Sequence, residues 1–172
     1  MKENFVCLIT GPAGAGKSSV SKALAERFDR SAVVSVDQLG AMVVGGHVRP
    51  WPHSDEVQME LSLITKNACD IANNFLEKGF NVIIDGVVGR KLFEQYSEYF
   101  KENNFKVFLL LPSLESLLLR FDERRENPAL RERTKDLHQH FSQRKDQLSW
   151  IFIDSSNQTL EETVEEIYKQ IQ

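Results

Sequence analysis

Cysteine is scarce in this chain of 172 residues, which has only Cys7 and Cys69. One falls in an apolar strand-like run and the other in a helical pattern. They read as buried free thiols of a reducing compartment, not as a disulfide framework. Long apolar runs are also missing. None approaches the roughly 20 residues of a membrane-spanning helix, and Phe5–Ile9 is too short for the core of a secretory signal. A cytoplasmic location with no membrane partner is therefore expected. Positive charge is not in surplus, since 21 Lys and Arg stand against 25 Asp and Glu for a net charge of −4. With a pI near 5.6, bulk electrostatics argues against a nucleic-acid partner. There are five prolines, and no repeat, low-complexity tract or composition shift marks a linker. What remains is 41% hydrophobic and 27% charged residues, enough for one domain, residues 1–172, with a proper core.

Within that ordinary composition one stretch stands out, GPAGAGKS from Gly11 to Ser18. It fits the phosphate-loop spacing G-x-x-x-x-G-K-[ST], set between the apolar run Phe5–Ile9 and a helical pattern after Lys17. Glycines at 11, 14 and 16 let successive backbone N–H groups turn inward as an anion nest. A helix opening near Lys17 aims its positive end at the same point. Lys17 can reach the β- and γ-phosphates, and the Ser18 hydroxyl can ligate Mg²⁺. The phosphate-binding set is Gly11, Ala13, Gly14, Ala15, Gly16, Lys17, Ser18 and Ser19. The chain is expected to bind a nucleoside triphosphate.

The rest of the chain alternates strands with helices. Phe5–Ile9, Ala32–Val36, Phe80–Ile84, Phe105–Leu111 and Ile151–Ile153 read as strands. Helices are expected over about 17–28, from Ser54 or Asp55 to a stop at Gly79, and over about 91–103. Further helices follow from Ser113, over about 135–148, and after a Thr159/Glu162 capping box. This alternation predicts a doubly wound α/β fold on a parallel sheet. Two mobile inserts are expected, an acceptor-side loop at 38–53 and a lid at 122–134.

Ligands of open α/β sheets bind beyond the carboxyl ends of the strands, which singles out Asp37 and Asp85. Asp85 follows Val82-Ile-Ile84 as a metal-holding carboxylate would. Asp37 is placed to orient an acceptor hydroxyl and take its proton, though an N-cap for a short helix at 38–42 is an alternative. Arg120, Arg124, Arg125, Arg131 and Arg133 form an arginine-dense stretch. They are either a solvated face paired with Asp122, Glu123, Glu126 and Glu132, or a lid whose arginines meet the triphosphate. Between strand two and the long helix, Arg49 and Trp51 suit an acceptor pocket. His47 and His53 lack the partner ligands of a metal site. His138 and His140 point to different faces and read as structural or exposed.

On GPAGAGKS, VSVDQL, IIDGVVGR, LLLRFDERR and LHQHF, the chain resembles the small P-loop kinases of the nucleoside-monophosphate, shikimate and gluconate kinase group. It looks closest to the branch that includes chloramphenicol phosphotransferase. The resemblance implies a three-layer fold with sheet order 2-3-1-4-5, and ATP with Mg²⁺ as cofactors. It implies an adenine-stacking role for Arg120, adenine near Ser155–Asn157, and a lid arginine at Arg124 or Arg131. Asp37, Arg49, Trp51, Asp85 and Arg90 would make up the acceptor side, with Lys17, Asp37 and the lid arginines catalytic. Shikimate kinase's glycine triplet after strand three is missing, and Val87-Val88-Gly89 replaces the DGFPR form of adenylate kinases. Those departures argue against shikimate and against a nucleotide acceptor.

The expected function is phosphoryl transfer from Mg–ATP to a hydroxyl of a small molecule. The alternatives are a nucleotide-dependent switch or slow NTPase without an acceptor, and a nucleotide or polynucleotide kinase. An N-K-x-D guanine-reading pattern is missing, which tells against a guanine switch. Composition does not address the oligomeric state.

Overall fold

The computed structural model describes residues 4–48, 54–123, 128–144 and 149–172. Among the described residues five strands are joined by seven helices: β1 (Phe5–Thr10), α1 (Lys17–Ala25), β2 (Ser31–Ser35), α2 (Val36–Gly40), α3 (Asp55–Leu76), β3 (Asn81–Asp85), α4 (Arg90–Tyr99), β4 (Asn104–Leu110), α5 (Leu114–Glu123), α6 (Pro128–Arg144), β5 (Ile151–Ile153) and α7 (Leu160–Ile171). The sheet runs β2-β3-β1-β4-β5, and every pairing in it is parallel. This is the doubly wound fold that the alternation of strands and helices predicts, in the strand order that the resemblance implies.

β1 explains the layering. All six of its residues are buried, and the two-residue period of a strand sends them to opposite faces. Val6 and Leu8 join the core under α3, α4 and α6, with Ala68, Cys69, Tyr96 and Phe141. Phe5, Cys7 and Ile9 join the core under α1 and α7, with Leu24, Val164 and Ile167. Both cysteines are free and buried. Burial pushes both thiols up, Cys69 to about 12 with help from the Asp70 charge, so neither is a nucleophile.

Local signals account for the helix ends. Ser54 Oγ accepts from Val57 N at 3.2 Å to open α3. At its end Gly79 takes φ +81°, Phe80 N bonds Phe75 O, and Gly79 N bonds Leu76 O. That pair of bonds is the Schellman stop. The Thr159/Glu162 capping box opens α7, and its bonds from Thr159 hold the Glu162 carboxyl below the usual range.

Three expectations are corrected. α1 stops at Ala25, not Phe28, because Arg27 N and Phe28 N turn back to Leu24 O and Ala25 O. These shorter bonds tighten the last turn and swing Phe28 onto Phe5 and Tyr168, 5.0 and 5.4 Å between ring centres. β2 ends at Ser35, whose Oγ accepts from Gln38 N and caps α2. Asp37 therefore lies in the first turn of that short helix and is not its N-cap. Finally, α6 begins at Pro128, not near Lys135. Pro128 opens α6 at the position where its missing N–H costs nothing, and Thr134 is fully buried. Arg124 lies outside the described residues, as do Arg49, Trp51 and His53.

Candidate active site

The strand register gathers the site. Ile9 of β1 stands opposite Asp85 of β3, and Asp85 opposite Ser35 of β2. Three strands thus deliver the phosphate loop, Asp85 and Asp37 to one edge of the sheet. The loop leaves β1 through Gly11 at φ +146°, where a Cβ would stand 2.2 Å from Leu110 O. Only glycine fits there, because β4 passes too close. Gly16 caps α1 with no side-chain bond, so the first N–H groups of the helix face whatever occupies the loop. On the other side of the loop, Leu117 of α5 would be 3.5 Å from a Cβ on Gly14.

Lys17 is buried, and its Nζ donates to Pro12 O at 3.1 Å. The side chain is folded along the loop, where its charge faces the nest. Ser18 and Ser19 are exposed at the mouth. Asp85 is 4% exposed, and burial pushes its carboxyl above the usual range. A hydrogen bond from the Ser18 hydroxyl and the charge of Lys17 oppose that rise, while the nearby charge of Asp37 adds to it. Lys17, Ser18, Asp37 and Asp85 therefore form one electrostatic cluster. Its hydroxyl and carboxylate oxygens are the hard donors that suit Mg²⁺. Among the described residues no group of three His, Cys, Asp or Glu side chains makes an all-protein metal cage. A cation shared with phosphate oxygens and water needs no such cage.

Arg120 donates from Nη2 to Ser155 O at 2.6 Å. That bond brings Arg120 to the loop after β5, where Asn157 is exposed. Ser113 N to Ser156 Oγ, 2.7 Å, ties the same loop to the start of α5. Arg90 opens α4, is 76% exposed, and pairs with Glu94 at 3.3 Å. Arg131 pairs with Asp122 at 3.1 Å, and this contact raises its affinity for its proton. His138 joins α6 to the end of β4 through Nε2 and Pro112 O at 3.0 Å, while His140 is exposed.

Two contributors, Thr10 and Glu60, were missed in the sequence. Thr10 Oγ1 accepts from Val88 N at 3.0 Å, and Gly86 N donates to Ile9 O at 3.2 Å. These two bonds fix the turn after Asp85 against the phosphate-loop strand. Glu60, nearly buried, binds His47 Nδ1 at 2.7 Å and Val48 N at 2.9 Å. That carboxylate anchors the segment after α2 to α3. The D-G step after an apolar run was a usable signal for the turn. Nothing in sequence pointed to Glu60, because its partners are 12 and 13 residues away.

Fold and cluster together define a P-loop nucleoside-triphosphate-binding domain. A family model described as an AAA domain matches residues 7–149, and the chain belongs to that family. Among solved structures, it is similar to the tunicamycin resistance protein of Deinococcus radiodurans at 17% identity and TM-score 0.72, covering 98% of this chain and 95% of that one. It is similar to a gluconokinase from Sinorhizobium meliloti 1021 at 17% identity and TM-score 0.70, covering 99% and 93%. It is similar to a shikimate kinase from Acinetobacter baumannii at 19% identity and TM-score 0.66, covering 98% and 93%. At these identities the likeness is one of fold. Among curated proteins none matches. Among the described residues no helix is long and apolar enough to cross a membrane.

Proposed function

We propose that the protein is a kinase that transfers the γ-phosphoryl group of Mg–ATP to a hydroxyl of a small molecule. The observation that carries this reading is the cluster of Lys17, Ser18, Asp37 and Asp85 at the edge where β1, β2 and β3 end. Family membership and the kinases among its structural neighbours give it further support.

The residues divide the task. The nest from Gly11 to Gly16 and the open start of α1 bind the phosphates. Lys17 leaves Pro12 O and places its charge on the β- and γ-phosphates. Ser18 and Asp85 would hold Mg²⁺, which offsets the charge that develops on the transferring group. Asp37, exposed beside Asp85, orients the acceptor hydroxyl and takes its proton. The acceptor oxygen forms the new bond to the γ-phosphorus as the bond to the β-γ bridging oxygen breaks, leaving a phosphate ester and ADP. Arg120 and Asn157 serve the adenine end, and Arg131 and Arg124 the triphosphate. Arg49, Trp51 and Arg90 serve the acceptor. A cytoplasmic location is part of the same reading.

The test is a thermal-shift screen of a metabolite and antibiotic library with Mg²⁺ and a non-hydrolysable ATP analogue present. The reading predicts hits that bear a hydroxyl and that need the nucleotide for their full effect. A switch without an acceptor would respond to the nucleotide alone.

A further inference from the structure

Asp122 and Arg131 are nine residues apart on different helices and meet in a two-point ion pair. Arg131 Nε lies 3.1 Å from Asp122 Oδ1, and Nη2 lies 3.4 Å from Oδ2. A guanidinium makes this fork-on-fork contact equally well with a carboxylate or a phosphate. While Asp122 holds those two donors, they are not available to an anion elsewhere. The neighbouring acid Glu132 is taken by Lys135 at 2.7 Å. Among the described residues, Asp122 is therefore the carboxylate that grips the Arg131 fork.

The two helices involved flank the nucleotide side of the sheet. Leu117 of α5 packs against Gly14, and Arg120, one turn further, reaches Ser155. α6 returns to the end of β4 through His138 and Pro112. The pair is partly open to solvent, with side chains 35% and 56% exposed. A pair this exposed adds little to stability and is cheap to exchange for a more highly charged partner.

We propose that Asp122 is a parking carboxylate for Arg131. It holds the guanidinium aside in the nucleotide-free protein and yields it to the triphosphate when Mg–ATP binds. The proposal rests on the kinase reading above, in which Arg131 serves the triphosphate. Asp122 acts only through Arg131 and is a positioning residue.

The experiment is calorimetric titration of Mg–AMP-PNP into the full-length protein, Asp122→Asn, Arg131→Ala and the double variant, with melting temperatures measured in parallel. Asp122→Asn keeps the shape and removes the charge, so affinity should rise about twofold to fivefold at low salt. The gain should fade as salt is raised and vanish in the Arg131→Ala background. Asp122→Ser serves as a second variant should Asp122→Asn fail to fold. Unchanged or weaker affinity in a folded Asp122 variant would overturn the proposal, with a lowered melting temperature marking the pair as a static tie. The same gain without Arg131 would overturn it too. If the unaltered protein binds no Mg–AMP-PNP, the kinase reading falls and this proposal with it.

Discussion

Ser18, in the first turn of α1, lies close enough to Asp85, the last residue of β3, for its hydroxyl to favour the charged carboxylate. That contact links a loop built for phosphates to an acid that burial makes reluctant to ionise. A metal ion between them would relieve the acid, since a cation replaces the water that Asp85 has lost.

Lys17→Ala should lower phosphoryl transfer by about a thousandfold, because it removes a charge from the transferring group. The far-ultraviolet spectrum should be unchanged. Lys17 is buried, and its ammonium donates to Pro12 O within the phosphate loop, outside the two apolar cores. Near-normal turnover by the folded variant would refute the assignment.

Asp37→Asn and Asp85→Asn should separate under calorimetry. Asp37→Asn leaves Mg–ATP affinity nearly unchanged while slowing transfer by ~10²–10⁴-fold, the usual loss of a positioned base. Asp85→Asn weakens Mg²⁺ dependence and nucleotide binding together. The opposite pattern, with Asp37 needed for Mg–ATP and Asp85 dispensable, would reverse the two roles.

The raised carboxyl of Asp85 also has a stability consequence. A group whose folded-state pKa is raised contributes stability below its unfolded value and loses it as pH rises through the folded value. The nucleotide-free protein should therefore lose stability from this group as pH climbs above the ordinary carboxylate range. Asp85→Asn, neutral at every pH, should melt higher than the parent at pH 8, and the difference should narrow toward pH 4. A parent that melts higher at both pH values would contradict the electrostatic description of the site.

Gly86→Ala probes the turn after Asp85. A Cβ there would stand 2.7 Å from two carbons of Val36, so the turn after β3 and the start of α2 cannot keep their spacing. The expected cost is about 1–3 kcal/mol, read from chemical denaturation. Loss of less than half a kcal/mol would mean that Val36 yields freely.

Much of this was legible because the signals are local. The phosphate loop's spacing carries its own chemistry, and Val82-Ile-Ile84 announces a strand ending at Asp85. The sheet order followed from the resemblance. Asp37 was harder. Val36 is β-branched and reads as strand, but the Ser35 hydroxyl caps a helix turn that claims Val36 and Asp37. The charge density of 120–133 likewise disguised the first turns of α6, although Pro128 was a fair start signal. Glu60 was beyond reach. Its grip on His47 and Val48 arises from where α3 packs, and no short-range pattern encodes it.

The central claim is phosphoryl transfer to an acceptor, and the direct measurement is ADP release from Mg–ATP with and without each alcohol of a broad panel. The account predicts a low basal rate, strong stimulation by at least one alcohol, a phosphate ester of that alcohol by ³¹P resonance, and loss of both signals in Lys17→Ala. ADP release at one unstimulated rate across the panel, with inorganic phosphate as the sole phosphorus product, would contradict it and leave a nucleotide hydrolase in its place.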